Sequence, residues 1–227
     1  MKRLFFPVLF FPFLIPTDKP DRSASQPGID ISSYLSCFLA IPDKGAECSL
    51  TLYDDLPVDD DPGFIFDLKT GRTGHCFLRL CKKNEGKSAQ QYIGFTASRG
   101  YAIFGLPIAG KIVDNSGHKF NASLEMKISS GDLENAMGVI RSMGNSPIYS
   151  LLHFNCVSYA LCVLNRIRPD NPILPAPLKG VNFGENYLLP RELYLSLAKL
   201  KTKKSPENEQ IKIGMALNAG IGSGPCP

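Results

Sequence analysis

At 227 residues and 44% hydrophobic content, the chain is long enough to bury a core, which excludes a disordered protein. Acids and bases nearly balance at a formal charge of +4. The one dense basic stretch, KLKTKK at 199–204, reads as a solvated helix end, so nucleic acid is not an expected partner. No stretch reaches the roughly 18 uninterrupted apolar residues of a membrane span.

The chain opens with MKRLFFPVLFFPFLIP, a basic start and an apolar run of signal-peptide length. Export to a periplasmic or extracellular space is therefore expected, although Pro7, Pro12 and Pro16 interrupt the helix such a segment prefers. TDKPDRSASQPG (17–28) is polar and rich in Pro and Ser, as a linker is. The expected organisation is an apolar segment and linker at 1–28, one domain at 29–202, and a polar, Gly-rich tail at 203–227. Seven cysteines without a CxxC pair argue against a zinc ribbon. Their odd number fits three disulfides and one working thiol in an oxidising compartment.

ECSLTLYDDLPV (47–58) alternates as a strand does, and DDDPG (59–63) breaks it as an exposed turn; it lacks the ligand spacing of a calcium loop. GHCFLRLCK (74–82) and QQYIGFTAS (90–98) read as strands joined by a hairpin loop, KNEGKS. GLPIAGK (105–111) matches most of a phosphate-binding loop, but Ile112 stands where a magnesium-binding hydroxyl is needed, so it reads as a loop with turn glycines. NASLEMKIS (121–129) places Ala122, Leu124, Met126 and Ile128 on one face. A helix follows, with Ser129 and Asp132 at capping-box spacing and Gly144 as its stop. Another helix starts near Asn155, burying Val157, Ala160, Leu161, Leu164 and Ile167, and a last one runs from Pro190 to Lys201. Strands followed by helices without regular alternation predict an α+β domain on an antiparallel sheet.

The chemistry centres on HFNC at 153–156. A helix N-terminus carries about half a positive charge and unpaired N–H groups, which stabilise a thiolate. Cys156 fits that position with Asn155 as N-cap, leaving first-turn N–H groups for the sulfur and for an oxyanion. His75, at the start of an apolar strand, is the expected base of a nucleophile and base pair. His153 is a rival base, only three residues before the cysteine, and His118 in DNSGHKF reads as a turn residue. The bland reading makes Cys156 and His75 semi-buried core residues. A zinc site from His75, Cys81, His153 and Cys156 has suitable ligand types but no common zinc spacing.

TGHCFLRL, the following YIGF strand and HFNCVSYALCVLN together resemble the circularly permuted, NlpC-type branch of papain-like cysteine hydrolases, which includes the lecithin retinol acyltransferase-like proteins. The resemblance covers roughly residues 47–202. It implies a permuted papain-like fold with the nucleophile helix packed on an antiparallel sheet, Cys156 as nucleophile and His75 as base. The residue that orients the imidazole has no clear match: Gln91 is closest by position, and Tyr92 or a backbone carbonyl are alternatives. The implied activity is hydrolysis of an amide bond in a peptide or peptidoglycan-like substrate, with no cofactor or metal. A lipid acyl hydrolase or acyltransferase, and a noncatalytic binding module on the same fold, are the competing expectations.

Overall fold

A computed structural model describes residues 26–98, 106–144, 148–176, 187–203, 208–224 and 226. The apolar run 1–16 and nearly all of the expected linker lie outside these residues. In chain order the elements are α1 (Ile31–Leu35) with a following 3-10 turn (Ser36–Ala40), β1 (Glu47–Asp55), β2 (His75–Asn84), β3 (Lys87–Ala97), β4 (Ile108–Asp114), β5 (Lys119–Ile128), α2 (Ser130–Met143), β6 (Ile148–Tyr149), α3 (Cys156–Arg166), α4 (Pro190–Thr202) and β7 (Ile211–Asn218). The strands form one seven-stranded sheet in the order β6-β4-β3-β2-β1-β5-β7, with every pairing antiparallel. The α+β class and the antiparallel sheet are as expected. The longest ladder, β1 with β2, runs from Glu47↔Lys83 to Asp55↔His75.

Strand periodicity gives the sheet two different faces. Leu50, Leu52, Cys76, Leu78, Leu80, Ile93 and Phe95 share the main core with Val157, Ala160 and Leu164 of α3 and Leu193 and Leu197 of α4. This is the helix-covered face. On the other face Tyr53, Phe77, Tyr92, Phe120 and Ala219 form a small aromatic cluster. Phe120 and Ala122 would share a face by count, but a register irregularity between them sends Phe120 to the aromatic side.

Local chemistry explains most elements. Glu85 and Gly86 both have positive φ, the turn geometry that matches strand twist in a two-residue hairpin. Ser129 and Asp132 form the reciprocal capping box that opens α2, and Gly144 closes it. Pro190 occupies the first helical position of α4. Lys82 points into the helix-covered core, where its ammonium donates to the carbonyls of Phe38 and Ile41 and to Asp43, pinning the 3-10 turn. That network satisfies the buried charge.

Three expectations are corrected. GLPIAGK does not continue as a loop: from Ile108 its residues form β4, paired with β3, because Ile112 and Val113 fill the interior. The segment taken for a tail at 203–227 supplies β7, whose Ile211 is fully buried, and then crosses the sheet. Among the described residues the cysteines make one disulfide, Cys37–Cys226, rather than three, and Cys48, Cys76, Cys81, Cys156 and Cys162 are not disulfide-bonded.

Candidate active site

Cys156 is the first residue of α3, as the sequence reading placed it. The Asn155 side chain accepts from the N–H groups of Val157 (2.9 Å) and Ser158 (3.2 Å), while its amide donates to the carbonyls of Leu151 and Leu188. Asn155 is therefore a fully engaged N-cap. The consequence corrects one expectation: the Val157 and Ser158 N–H groups are occupied by the cap and do not serve an oxyanion.

α3 packs on β2, and Cys156 is near enough to Cys76, the second residue of β2, to act on its thiol electrostatically. Burial pushes the Cys76 thiol well above its ordinary range, with Asp54 and then Cys156 adding to the shift. Asp54 is fully buried on the same face, and neither of its carboxylate oxygens has a hydrogen-bond partner among the described residues. Desolvation raises its pKa far above the usual carboxylate range, with Asp55 and Glu192 acting in the same direction.

His75 is the first residue of β2 and is buried. Gly74 before it has φ of 78°, and a Cβ there would meet the Asp55 carbonyl at 2.5 Å, so only glycine delivers the chain to this point. The imidazole follows Phe77: the two rings stack at 6.0 Å, and Nε2 lies 3.4 Å from Asn115 Oδ1. Gly94 on β3 makes that pairing possible, because a Cβ there would fall 1.8 Å from Asn115 Oδ1 and 2.7 Å from His75 Nε2. The glycine of YIGF is thus space reserved for a histidine and amide pair.

Asn115 and His118 are the residues the sequence reading missed. His118 stands edge-on to the His75 ring at 5.1 Å, and its Nε2 lies 3.3 Å from the buried Asp55 carboxylate, which also receives the Arg72 guanidinium. Asp55 is opposite His75 in the β1–β2 ladder. DNSGHKF is therefore more than a turn: it closes over His75 with both an amide and a second imidazole. The legible signal was the pairing of a scarce residue type with Asn115 in one short turn.

Gln91 does not reach His75. Its amide donates to the carbonyls of Tyr34 and Gly224, tying α1 to the C-terminal segment, because it points to the helix-covered face. Tyr92 takes its place in the aromatic cluster. His153 is exposed. Cys81 follows Phe77 by strand alternation, six residues from His75, and no three His, Cys, Asp or Glu side chains among the described residues are grouped to hold a metal ion.

The thiol and the imidazole reach the same end of β2, Cys156 from the side of Cys76 and His75 from the side of Phe77. The β1–β2 connection, which leads directly into His75, carries Phe64, Ile65, Phe66 and Leu68 exposed. No helix among the described residues is long and apolar enough to cross a membrane. Compared with family models, curated proteins and solved structures, the chain matches none.

Proposed function

We propose that the protein is a thiol hydrolase that cleaves an amide bond through an acyl-enzyme, with Cys156 as nucleophile and His75 as base. The observation that supports the reading is the pairing of His75 Nε2 with Asn115 Oδ1, on the strand whose second residue, Cys76, interacts with Cys156. An amide oxygen at Nε2 fixes the ring and its tautomer, which makes Nδ1 the nitrogen that takes the thiol proton. The thiolate then attacks the substrate carbonyl and the amine leaves with the proton held on His75. Water releases the acyl group, and the thiol is restored. Asn115 replaces Gln91 as the residue that orients the imidazole.

The substrate class, a peptide or peptidoglycan-like amide, follows from the resemblance of the two motifs. The exposed Phe64, Ile65, Phe66 and Leu68 in the connection leading into His75 support the lipid acyl alternative, which a comparison of peptide amides with acyl esters as substrates separates. A noncatalytic binding module on the same fold has one observation in its favour: strand alternation brings the imidazole and the thiol to the end of β2 from opposite faces.

Limiting alkylation at about pH 6.5 tests the dyad, since an unperturbed thiol is only about 1% ionised there. Cys156 is expected to react ahead of the exposed Cys162, with His75→Ala abolishing the preference and His153→Ala leaving it intact. The binding-module reading gains the case if Cys162 reacts first in the unmodified protein, or if His75→Ala changes nothing.

A further inference from the structure

The segment after β7 returns across the aromatic face. The Ala219 N–H donates to the His118 carbonyl (2.8 Å), the Gly117 N–H to the Gly220 carbonyl (2.9 Å), and the Gly222 N–H to Ser116 Oγ (2.8 Å). These contacts clamp the turn that carries Asn115 and His118. The strap then meets β3 at a margin β4 does not cover, since the β3–β4 ladder stops at Ile93↔Asp114. There the Ser223 N–H donates to the Gln90 carbonyl, the Gln90 side chain to the Ile221 carbonyl, and the Gln91 side chain to the Gly224 carbonyl. The strap ends at Cys226, bonded to Cys37 in the 3-10 turn.

A second feature lies at that bond. The disulfide borders a cleft of about 240 Å³, lined in part by Ser36, Ala40, Lys87 and Ser223. Thiol–disulfide exchange needs access for an attacking thiolate, and a cleft of this size admits a small dithiol.

We propose that Cys37–Cys226 is a redox latch: reduction by an external dithiol releases the strap and loosens the 115–118 turn that holds Asn115 and His118 against His75. One thiolate of the dithiol attacks a latch sulfur, breaking the S–S bond and expelling the other cysteine as a thiolate. The second thiol of the reagent then displaces the bound cysteine and closes a disulfide within the reagent. The latch gains two electrons and two protons, and the dithiol is oxidised by the same amount. The effect on His75 rests on the catalytic reading proposed above, whereas the latch itself does not.

Hydrogen exchange read by mass spectrometry on the full chain, with and without dithiothreitol under native conditions, tests the latch. Reduction is expected to speed exchange about tenfold or more at 115–118 and 219–224 while the β1–β2 amides keep their protection. The Cys37→Ser/Cys226→Ser variant should show the same pattern without reductant and no further response to it. A disulfide that resists reduction in the folded protein, unchanged exchange at 115–118, or loss of protection across the whole sheet each overturns the latch. Alkylation of Cys156 in the oxidised parent protein and in this variant separates the two readings. If Cys156 is unselective even in the oxidised protein, the catalytic reading falls and exchange still decides the latch. If Cys156 is selective and its rate does not fall at least several-fold when the strap is free, coupling of the latch to the site is overturned.

Discussion

Asp54 illustrates how one residue can oppose the fold that contains it. Its carboxyl is buried with neither oxygen hydrogen-bonded among the described residues, near the Cys76 thiol and with Asp55 and then Glu192 disfavouring its charge. Removing an ionised carboxylate from water without a partner is costly, so the group stays protonated in the folded chain well above its ordinary range. Between the unfolded value of about 3.9 and the raised folded value, the native state binds more protons than the unfolded one. Stability attributable to this group is therefore complete below about pH 4 and is lost as pH rises towards the folded pKa. Asp54→Asn should match the parent protein near pH 4 and become progressively more stable than it up to pH 7.5, read as the urea midpoint at several pH values. A constant difference across that range would show that Asp54 does not titrate differently on folding.

At the scale of elements, α3 is the piece whose placement matters most. Its buried face, with Val157, Tyr159, Ala160, Val163 and Leu164, packs on β2 and β3, and Tyr159 stacks on Phe95 at 5.2 Å. The start of the helix is fixed by Asn155 alone, which satisfies two N–H groups and two carbonyls. A side-chain cap is worth about 1 kcal/mol, up to roughly 2 in a buried setting. Asn155→Ala should therefore lower the thermal midpoint by about 2–8 °C, given some 2–4 °C per kcal/mol for a protein of this size. Asn155→Asp, which keeps the acceptor and loses both donors, should fall between the two in a thermal denaturation series. An unchanged midpoint in both variants would mean that packing, and not the cap, sets where α3 begins. Much of α3 was legible: the cap, the helical period and the cysteine position are local properties. Which first-turn N–H groups stay available was not, because it depends on the rotamer Asn155 adopts to reach Leu151 and Leu188.

For the molecule as a whole, the C-terminal segment closes the structure. β7 pairs with β5 and buries Ile211, Ala219 enters the aromatic cluster, and the disulfide joins residues 189 positions apart. A bridge closing so long a loop contributes on the order of 2–5 kcal/mol, comparable with the total of roughly 5–15 kcal/mol typical of a domain. Ending the chain after Lys203 should abolish the cooperative thermal transition or lower its midpoint by on the order of 15 °C. A midpoint within a few degrees, measured by calorimetry, would make 204–227 the dispensable tail its composition suggests.

That tail shows how a composition reading can hide a strand. Its IKIGMAL stretch has Ile211, Ile213, Met215 and Leu217 at strand period, and what the sequence withholds is the partner, the β5 edge with which it pairs. By contrast, the alternation of β1, β2 and β5, the capping box of α2, the N-cap of α3 and the proline start of α4 are determined by residues a few positions apart, and the sequence alone specified them. The antiparallel α+β class follows from those same local patterns. What only the tertiary structure decided are meetings between distant residues: Asn115 rather than Gln91 at His75, His118 with Asp55, and Cys37 with Cys226. Gln91 and His75 lie on opposite faces because strand side chains alternate, so the partner of His75 had to come from whichever turn folds over the aromatic face. The physical reason is that local preferences fix φ and ψ over a few residues, whereas the face, the register and the partner depend on how the whole sheet assembles.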